Sequence, residues 1–312
     1  MTRHRSRACV KPGQSELGRI NGRVLRWLSI AAALAWLHVL PAAAEDKQTL
    51  IWLLRDLPPL TIFEGSQKNL GAVDQLMPLL IASLPQYRHD LLRVNRARGM
   101  QMLQEPSFTC DPSLLWNPER AKRMVYSIPA YRIRSNGVAI RRKDHAALSP
   151  FLIDNQVDLE RLLANKSRKL GVVAERSYGE AVDRTLSQAP PGSLTAHYGN
   201  DALGSLLQMQ RLGRLTSLLG YWPEIRYQAL QQGIAPEELE FFGIHGNAKY
   251  QSIHVACSDI PEGRQAISAI NATIRQLRHN RLIEFYAQWL DPQMRSEYLR
   301  DAEDFFQDEA PE

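Results

Sequence analysis

Two hydrophobic patterns alternate along this chain. Short unbroken apolar runs predict strands buried on both faces, and stretches with apolar residues every three or four positions predict helices that bury one face. Thr49–Leu54 is a run of the first kind, and Leu57-Pro58-Pro59-Leu60 breaks it. Gly71-Ala72-Val73-Asp74 opens a helix whose Leu76, Met77, Leu80 and Leu84 share a face, and Pro85 closes it. Residues 91–94 predict a second strand, residues 99–104 a helix and residues 110–115 a third strand. Such alternation marks a parallel sheet with helices on its faces.

The alternation then restarts. Residues 137–140 and 170–174 predict strands, the second running through Glu175-Arg176-Ser177-Tyr178-Gly179 into a helix. Residues 203–209 have a helical period, 215–219 predict a strand, Trp222–Gln231 a helix, and 239–244 and 252–256 two further strands. Ile267, Ile270, Ile274 and Leu277 share one helical face, and Ile283, Tyr286 and Leu290 continue after a break. These are more α/β units than one sheet needs, so the expected fold is α/β with two lobes. Open sheets of this kind bind ligands beyond the carboxyl ends of their strands. With two lobes, the expected site is the cleft between them.

The first 44 residues change the charge picture. Arg3, Arg5, Arg7, Lys11, Arg19, Arg23 and Arg26 precede an uncharged apolar stretch over residues 28–40, then Pro41-Ala42-Ala43-Ala44 and Glu45-Asp46. A basic segment, an apolar segment and a small-residue end form a secretory signal, with cleavage expected after Ala44 and a periplasmic destination. An uncleaved anchor is the alternative, but the apolar run is shorter than the ~20 residues that cross a bilayer. Initiation near Val24 would leave a more ordinary signal. Residues 1–44 carry +6, so the whole chain's +5 leaves −1 for the remainder. The basicity therefore belongs to the export segment, and a nucleic-acid surface is not expected. Arg93, Arg96 and Arg98, and Arg141-Arg142-Lys143, read as solvated segments. Residues 301–312 read as an acidic, frayed tail.

Cys9 leaves with the signal, and Cys110 and Cys257 remain in an oxidising compartment. They predict a disulfide; the alternative is two separate buried thiols. There is no Cys-x-x-Cys, His-Glu-x-x-His, Gly-x-Ser-x-Gly or Gly-x-Gly-x-x-Gly. No metal, cofactor or enzymatic activity is expected from these patterns.

The segment from Cys110 to Tyr131 carries the most specific chemistry. A strand ends in Leu115-Trp116-Asn117, and Pro118 starts a short helical turn that brings Arg120 near its N-terminus. A guanidinium in such a loop can hold a carboxylate through two parallel hydrogen bonds. Asn117-Pro118-Glu119-Arg120, followed by Tyr126-Ser127-Ile128-Pro129-Ala130-Tyr131, resembles a pattern of the amino-acid ABC transporter type of solute-binding proteins (family 3). There a strand is followed by Thr-Pro-Glu-Arg and Phe-Ser-x-Pro-Tyr. Gly71-Ala72-Val73-Asp74, the pair Leu170-Gly171-Val172 and Ser177-Tyr178-Gly179, and residues 253–258 extend the likeness over almost the whole exported chain. It is nearest to a proteobacterial subgroup of unassigned ligand, with a Cys just upstream of Pro-Glu-Arg and another on the return strand.

The resemblance implies a periplasmic-binding-protein-like (type II) fold with discontinuous lobes and a two-strand hinge. Lobe 1 would hold residues 45–136 and 251–300, and lobe 2 residues 137–250. It implies a monomer that binds a small molecule and works with an inner-membrane ABC permease or, alternatively, a sensor. A dehydratase- or lyase-like enzyme on the same fold is the other rival. The candidate ligand contacts are Arg120, Asn117, Trp116 and Asp56 from lobe 1, and Ser177, Tyr178 and Tyr221 from lobe 2. Two departures bear on the ligand. Glu175-Arg176 stands where Gly-Ser is usual, and Leu219-Gly220-Tyr221 stands where an acid usually holds the ligand's amino group. Both turn the expectation from an α-amino acid toward a carboxylate or other anion facing Arg120.

Overall fold

The structure is a computed structural model that describes residues 47–165, 169–199 and 201–307. The expected export segment and its cleavage point lie outside the described residues, as do residues 308–312 of the expected tail.

From the amino end of the described chain, β1 (Thr49–Leu54), α1 (Ala72–Ser83), β2 (Arg88–Arg93), α2 (Arg96–Gln104) and β3 (Thr109–Leu115) follow in order. The short α3 (Pro118–Ala121), β4 (Met124–Tyr126) and β5 (Tyr131–Arg134) come next. Then come β6 (Gly137–Arg141), α4 (His145–Leu148), β7 (Leu152–Ile153), β8 (Gln156–Val157), α5 (Leu159–Ala164) and β9 (Leu170–Val173). These lead to α6 (Glu180–Ser187), β10 (Leu194–His197), α7 (Ala202–Arg211), β11 (Ser217–Gly220), α8 (Trp222–Gln231) and β12 (Leu239–Gly243). β13 (Tyr250–Ser258), α9 (Pro261–Leu277), α10 (Arg281–Ala287) and α11 (Pro292–Ala302) follow last.

The strands form two principal sheets. The first has the order β2-β1-β3-β13-β4, with β5 also on β13. β1 runs parallel to β2 and β3, and β13 returns antiparallel to β3, β4 and β5. The second has the order β10-β9-β11-β6-β12, parallel through β10, β9 and β11, with β6 antiparallel to β11 and β12. The chain leaves the first sheet after Arg134 and re-enters it at Tyr250. This is a two-lobed fold whose first lobe is discontinuous in sequence.

The helical periods explain how each sheet is covered. α1 turns Ala72, Val73, Leu76, Met77 and Leu80 inward, and α9 adds Ile267, Ile270 and Ile274 to the same core. On the opposite face, Met102 and Leu103 of α2 pack with Leu53, Leu114, Met124 and Ala256. In the second lobe, Leu206 and Leu207 of α7 and Ile225 and Ala229 of α8 meet Ala139 and Leu218. Gly71, ahead of α1, is a matter of clearance: a Cβ there would meet the Leu60 carbonyl oxygen at 2.3 Å.

Cys110 and Cys257 are bonded to each other, and they face one another in the β3–β13 register. The expected second strand is present as Arg88–Arg93, at the edge of the sheet, with Leu91 and Leu92 exposed by 57% and 40%. One expectation is corrected. The segment read as a frayed tail is anchored over its described part. Asp301 and Ala302 belong to α11, and the Phe305 ring lies 4.8 Å from Tyr250 and 5.3 Å from Tyr298. Phe305 and Phe306 are buried, and two rings outweigh the solvation of neighbouring acids.

Candidate ligand-binding cleft

Loops at the carboxyl ends of both sheets converge on one cavity of ≈ 490 Å³. The first lobe supplies residues 55–58 after β1 and residues 93–97 between β2 and α2. The second supplies residues 173–176 after β9, residues 197–199 after β10, and Glu224 and Gln228 from α8. A narrower inner space shares Arg55, Arg96, Arg176 and Glu224 with it and is also lined by Ser113, Arg120, Ser177 and Tyr221.

Each lobe brings one closed ion pair to this inner end. Arg55 donates from Nε to Asp111 Oδ2 at 3.0 Å and from Nη2 to Oδ1 at 3.3 Å, with a further bond to the Ser113 carbonyl. The Arg55 and Asp111 side chains are 9% and 3% exposed. Arg176 donates to the two Glu224 oxygens at 2.6 and 2.7 Å, with side chains 7% and 4% exposed. The Arg176 guanidinium also lies 4.7 Å from the centre of the Tyr221 ring. Burial would lower the Arg176 pKa, but the Glu224 carboxylate outweighs it and the net direction is upward.

Two other guanidiniums differ. Arg96 and Arg120 are partly buried, both line the inner space, and neither side chain has a hydrogen bond or ion pair among the described residues. Burial and the neighbouring Arg55 and Arg176 charges push Arg96 well below the usual arginine range, and Asp111 and Glu224 offset only part of this.

The residues singled out from sequence fall into different places. Arg120 lines the inner space, and the α3 start holds it there. Asn117 serves that start: its side chain accepts from Glu119 N at 2.9 Å and Arg120 N at 3.2 Å, as an N-cap does. Asp56 lines the outer cavity but accepts from Arg93 Nη2 at 2.6 Å. Ser177 lines the inner space and donates to Asp183 Oδ2 at 2.5 Å. Tyr221 lines it with its ring, while its hydroxyl donates to Gln251 Oε1 at 2.8 Å. Trp116 is 51% exposed and lies outside the lining of both spaces. Tyr178 is 1% exposed and also outside the lining; its hydroxyl accepts from Val173 N at 2.9 Å.

Sequence reasoning missed Arg55, Arg96, Asp111, Arg176 and Glu224. A signal existed for one pair. Asp111 stands inside an otherwise uncharged strand, and a buried carboxylate needs a cation; Arg55 follows another apolar strand. Arg93 and Arg96 read as solvated, yet Arg93 bonds to Asp56 and Glu64 and Arg96 lines the cleft. No group of three or more His, Cys, Asp or Glu among the described residues could hold a metal ion.

No family model and no curated protein matches the sequence. Solved structures do match in fold. A histidine kinase sensor domain similar to periplasmic binding proteins has a TM-score of 0.61 at 13% identity, over 78% of this chain and 96% of that one. The amino-acid ABC transporter substrate-binding protein AbpA of Streptococcus pneumoniae, bound to L-arginine, gives 0.55 at 15%, over 83% and 95%. The ancestral amino-acid-binding protein AncCDT-1, a precursor of cyclohexadienyl dehydratase, gives 0.57 at 14%, over 78% and 95%. At such identities these likenesses establish the two-lobed periplasmic-binding-protein fold. No helix among the described residues is long and apolar enough to cross a membrane.

Proposed function

We propose that this chain is a periplasmic solute-binding protein that takes a small anionic or carboxylate-bearing solute between its lobes. The observation that supports this reading is the inner end of the cleft, where the Arg96 and Arg120 side chains have no ion-pair partner among the described residues. A positive charge in a partly dry cleft is costly unless a ligand neutralises it. Arg120 is the anchor in this reading, and Ser177 and Tyr221 line the opposite side. The moving bodies are residues 45–136 with 251–300, and residues 137–250. Closure follows binding because contacts from both lobes exist together only in the closed state.

Delivery to an ABC permease is the preferred role, and the chain acts as a monomer. The likeness to a histidine kinase sensor domain favours, as the second reading, a sensing module with the same cleft. A thermal-shift screen of small metabolites, followed by calorimetry on wild type and Arg120→Ala, tests the anchor. A charge-assisted hydrogen bond is worth about 1.5–3 kcal/mol, so the variant should bind roughly ten- to a hundredfold more weakly. Equal affinity would remove Arg120 from the site. Chemical conversion of a hit would put an enzyme in place of a carrier.

A further inference from the structure

Four guanidiniums line the inner space: Arg55, Arg96, Arg120 and Arg176. Only two carboxylates answer them, Glu224 on the lining and Asp111 behind it, and each is already bonded in two places to its own arginine. The other side chains of the lining are leucines, isoleucines, Ser113, Ser177 and Tyr221, none of which carries charge. The inner end therefore holds two positive charges without compensation. It also holds no open carboxylate to receive an ammonium group. The free acids of the cleft, Glu175 and Asp201, line only its outer part.

We infer that the cleft takes, where its ≈ 490 Å³ cavity meets the inner space of ≈ 30 Å³, a compact dianion without an ammonium group, either two carboxylates or one phosphate, gripped jointly by Arg96, which lines both spaces, and Arg120, which lines the inner one. Arg96 is the residue that selects two negative charges over one. This rests on the anion-binding reading above and narrows it. Arg96 shares the lining of the inner space with Arg55, Arg176 and Glu224, and its electrostatic neighbours are Arg55 and Asp111 from one lobe and Arg176 and Glu224 from the other. A monoanion satisfies Arg120 and leaves this repulsion in place, whereas the second charge of a dianion removes it. The ion pair Arg176–Glu224 excludes an amine from the same space, since its carboxylate is neutralised by a partner of the protein's own.

The test is calorimetry on the exported chain with succinate, glutarate, inorganic phosphate, butyrate and aspartate, using wild type, Arg96→Gln and Arg120→Ala. At least one of succinate, glutarate or phosphate should bind wild type roughly tenfold or more tightly than butyrate and aspartate do. Which of them binds separates a dicarboxylate from a phosphate ligand. Arg96→Gln should cut dianion affinity by about tenfold or more and change butyrate affinity by less than about twofold. It should also leave the ligand-free melting temperature equal or higher, because it removes a like charge from beside Arg55 and Arg176. A merely structural role would lower melting temperature and all affinities together. Butyrate or aspartate matching the dianions, or Arg96→Gln weakening every anion alike, overturns the dianion inference and leaves anion binding through Arg120 intact. Binding of none of the five overturns both. Binding that Arg120→Ala leaves unchanged overturns both the anchor and the joint grip.

Discussion

Each lobe buries one arginine against one carboxylate at the mouth of its sheet, and there the likeness between the lobes ends. In the first lobe, Arg55 and Asp111 are joined by Arg96 and Arg120, whose charges are open. In the second, Arg176 and Glu224 neutralise one another and leave no open charge on the inner lining. The first lobe is also cross-linked, through Cys110 and Cys257, while the described second lobe has no cysteine. On the reading proposed above, this difference gives the first lobe the positive site for an anion and the second a face without open charge. The second lobe can approach the first because its arginine already has a partner. An unpaired Arg176 facing the open charges of Arg96 and Arg120 would be repelled.

The largest expected effect breaks that neutrality. Glu224→Ala leaves the Arg176 charge buried without its carboxylate, and removing one partner of such a pair costs about 3–5 kcal/mol. The double variant Arg176→Met with Glu224→Leu should recover most of the loss, since an apolar pair of similar volume replaces a buried ion pair at little cost. Urea unfolding of the three proteins measures this. A double variant as unstable as Glu224→Ala would mean that the pair does more than neutralise charge.

Next in size is the cross-link. Cys110 and Cys257 lie 147 positions apart in sequence, and loop-entropy reasoning puts an upper figure of about 5 kcal/mol on closing that loop. Typical bridges deliver about 2–4 kcal/mol, and that is the expected loss for Cys110→Ala with Cys257→Ala. The loss should fall on the first lobe. Hydrogen exchange should speed up in β3 and β13 before it does in β9 and β11. Equal acceleration in both sheets would deny the lobes separate stabilities.

Much of this asymmetry was hidden in the sequence, for physical reasons. The strands β1 and β3 and the helix α1 announce themselves by local pattern, because they are buried whatever their neighbours are. β4 and β5, of three and four residues, have no such signal; they exist because β13 pairs with both from more than a hundred positions away. Arg120 was legible through its cap, since Asn117-Pro118 fixes a helix start locally. Arg96 was not, because an arginine among other arginines at a helix start looks solvated until the second lobe is placed opposite it. Glu224 lies one turn beyond the strand end where an acid was sought. Its carboxylate reaches the site only because α8 turns it there. Tyr178 misled in the other direction: an aromatic in a strand-end loop resembles a ligand contact, but its hydroxyl is committed to the Val173 amide.

The smallest expected effect sharpens the comparison at the junction where the chain re-enters the first lobe. Lys249 Nζ lies 2.5 Å from Glu297 Oε1 and 2.6 Å from Asp301 Oδ2, and Arg134 Nη1 lies 2.7 Å from Glu297 Oε2. Hydrogen bonding to Lys249 pulls both carboxyls below their ordinary values of 4.5 and 3.8. A depressed carboxyl pKa stabilises the folded state above the unfolded value, and the gain is lost as pH falls through the folded value. Stability should therefore decline from about pH 5 downward, by less than about 1 kcal/mol because these side chains are substantially exposed. Asp56 and Asp74 act in the opposite sense, since burial raises their pKa and protonation relieves the folded state as pH falls. Wild type alone thus shows only the balance. The difference between wild type and Lys249→Met isolates the junction, because the variant keeps Asp56 and Asp74 but lets Glu297 and Asp301 return toward ordinary values. Melting temperatures measured from pH 7 to pH 3 should converge for the two proteins at the acid end. Curves that stay parallel over that range would show that the contact at the re-entry point contributes no pH-dependent stability to the first lobe.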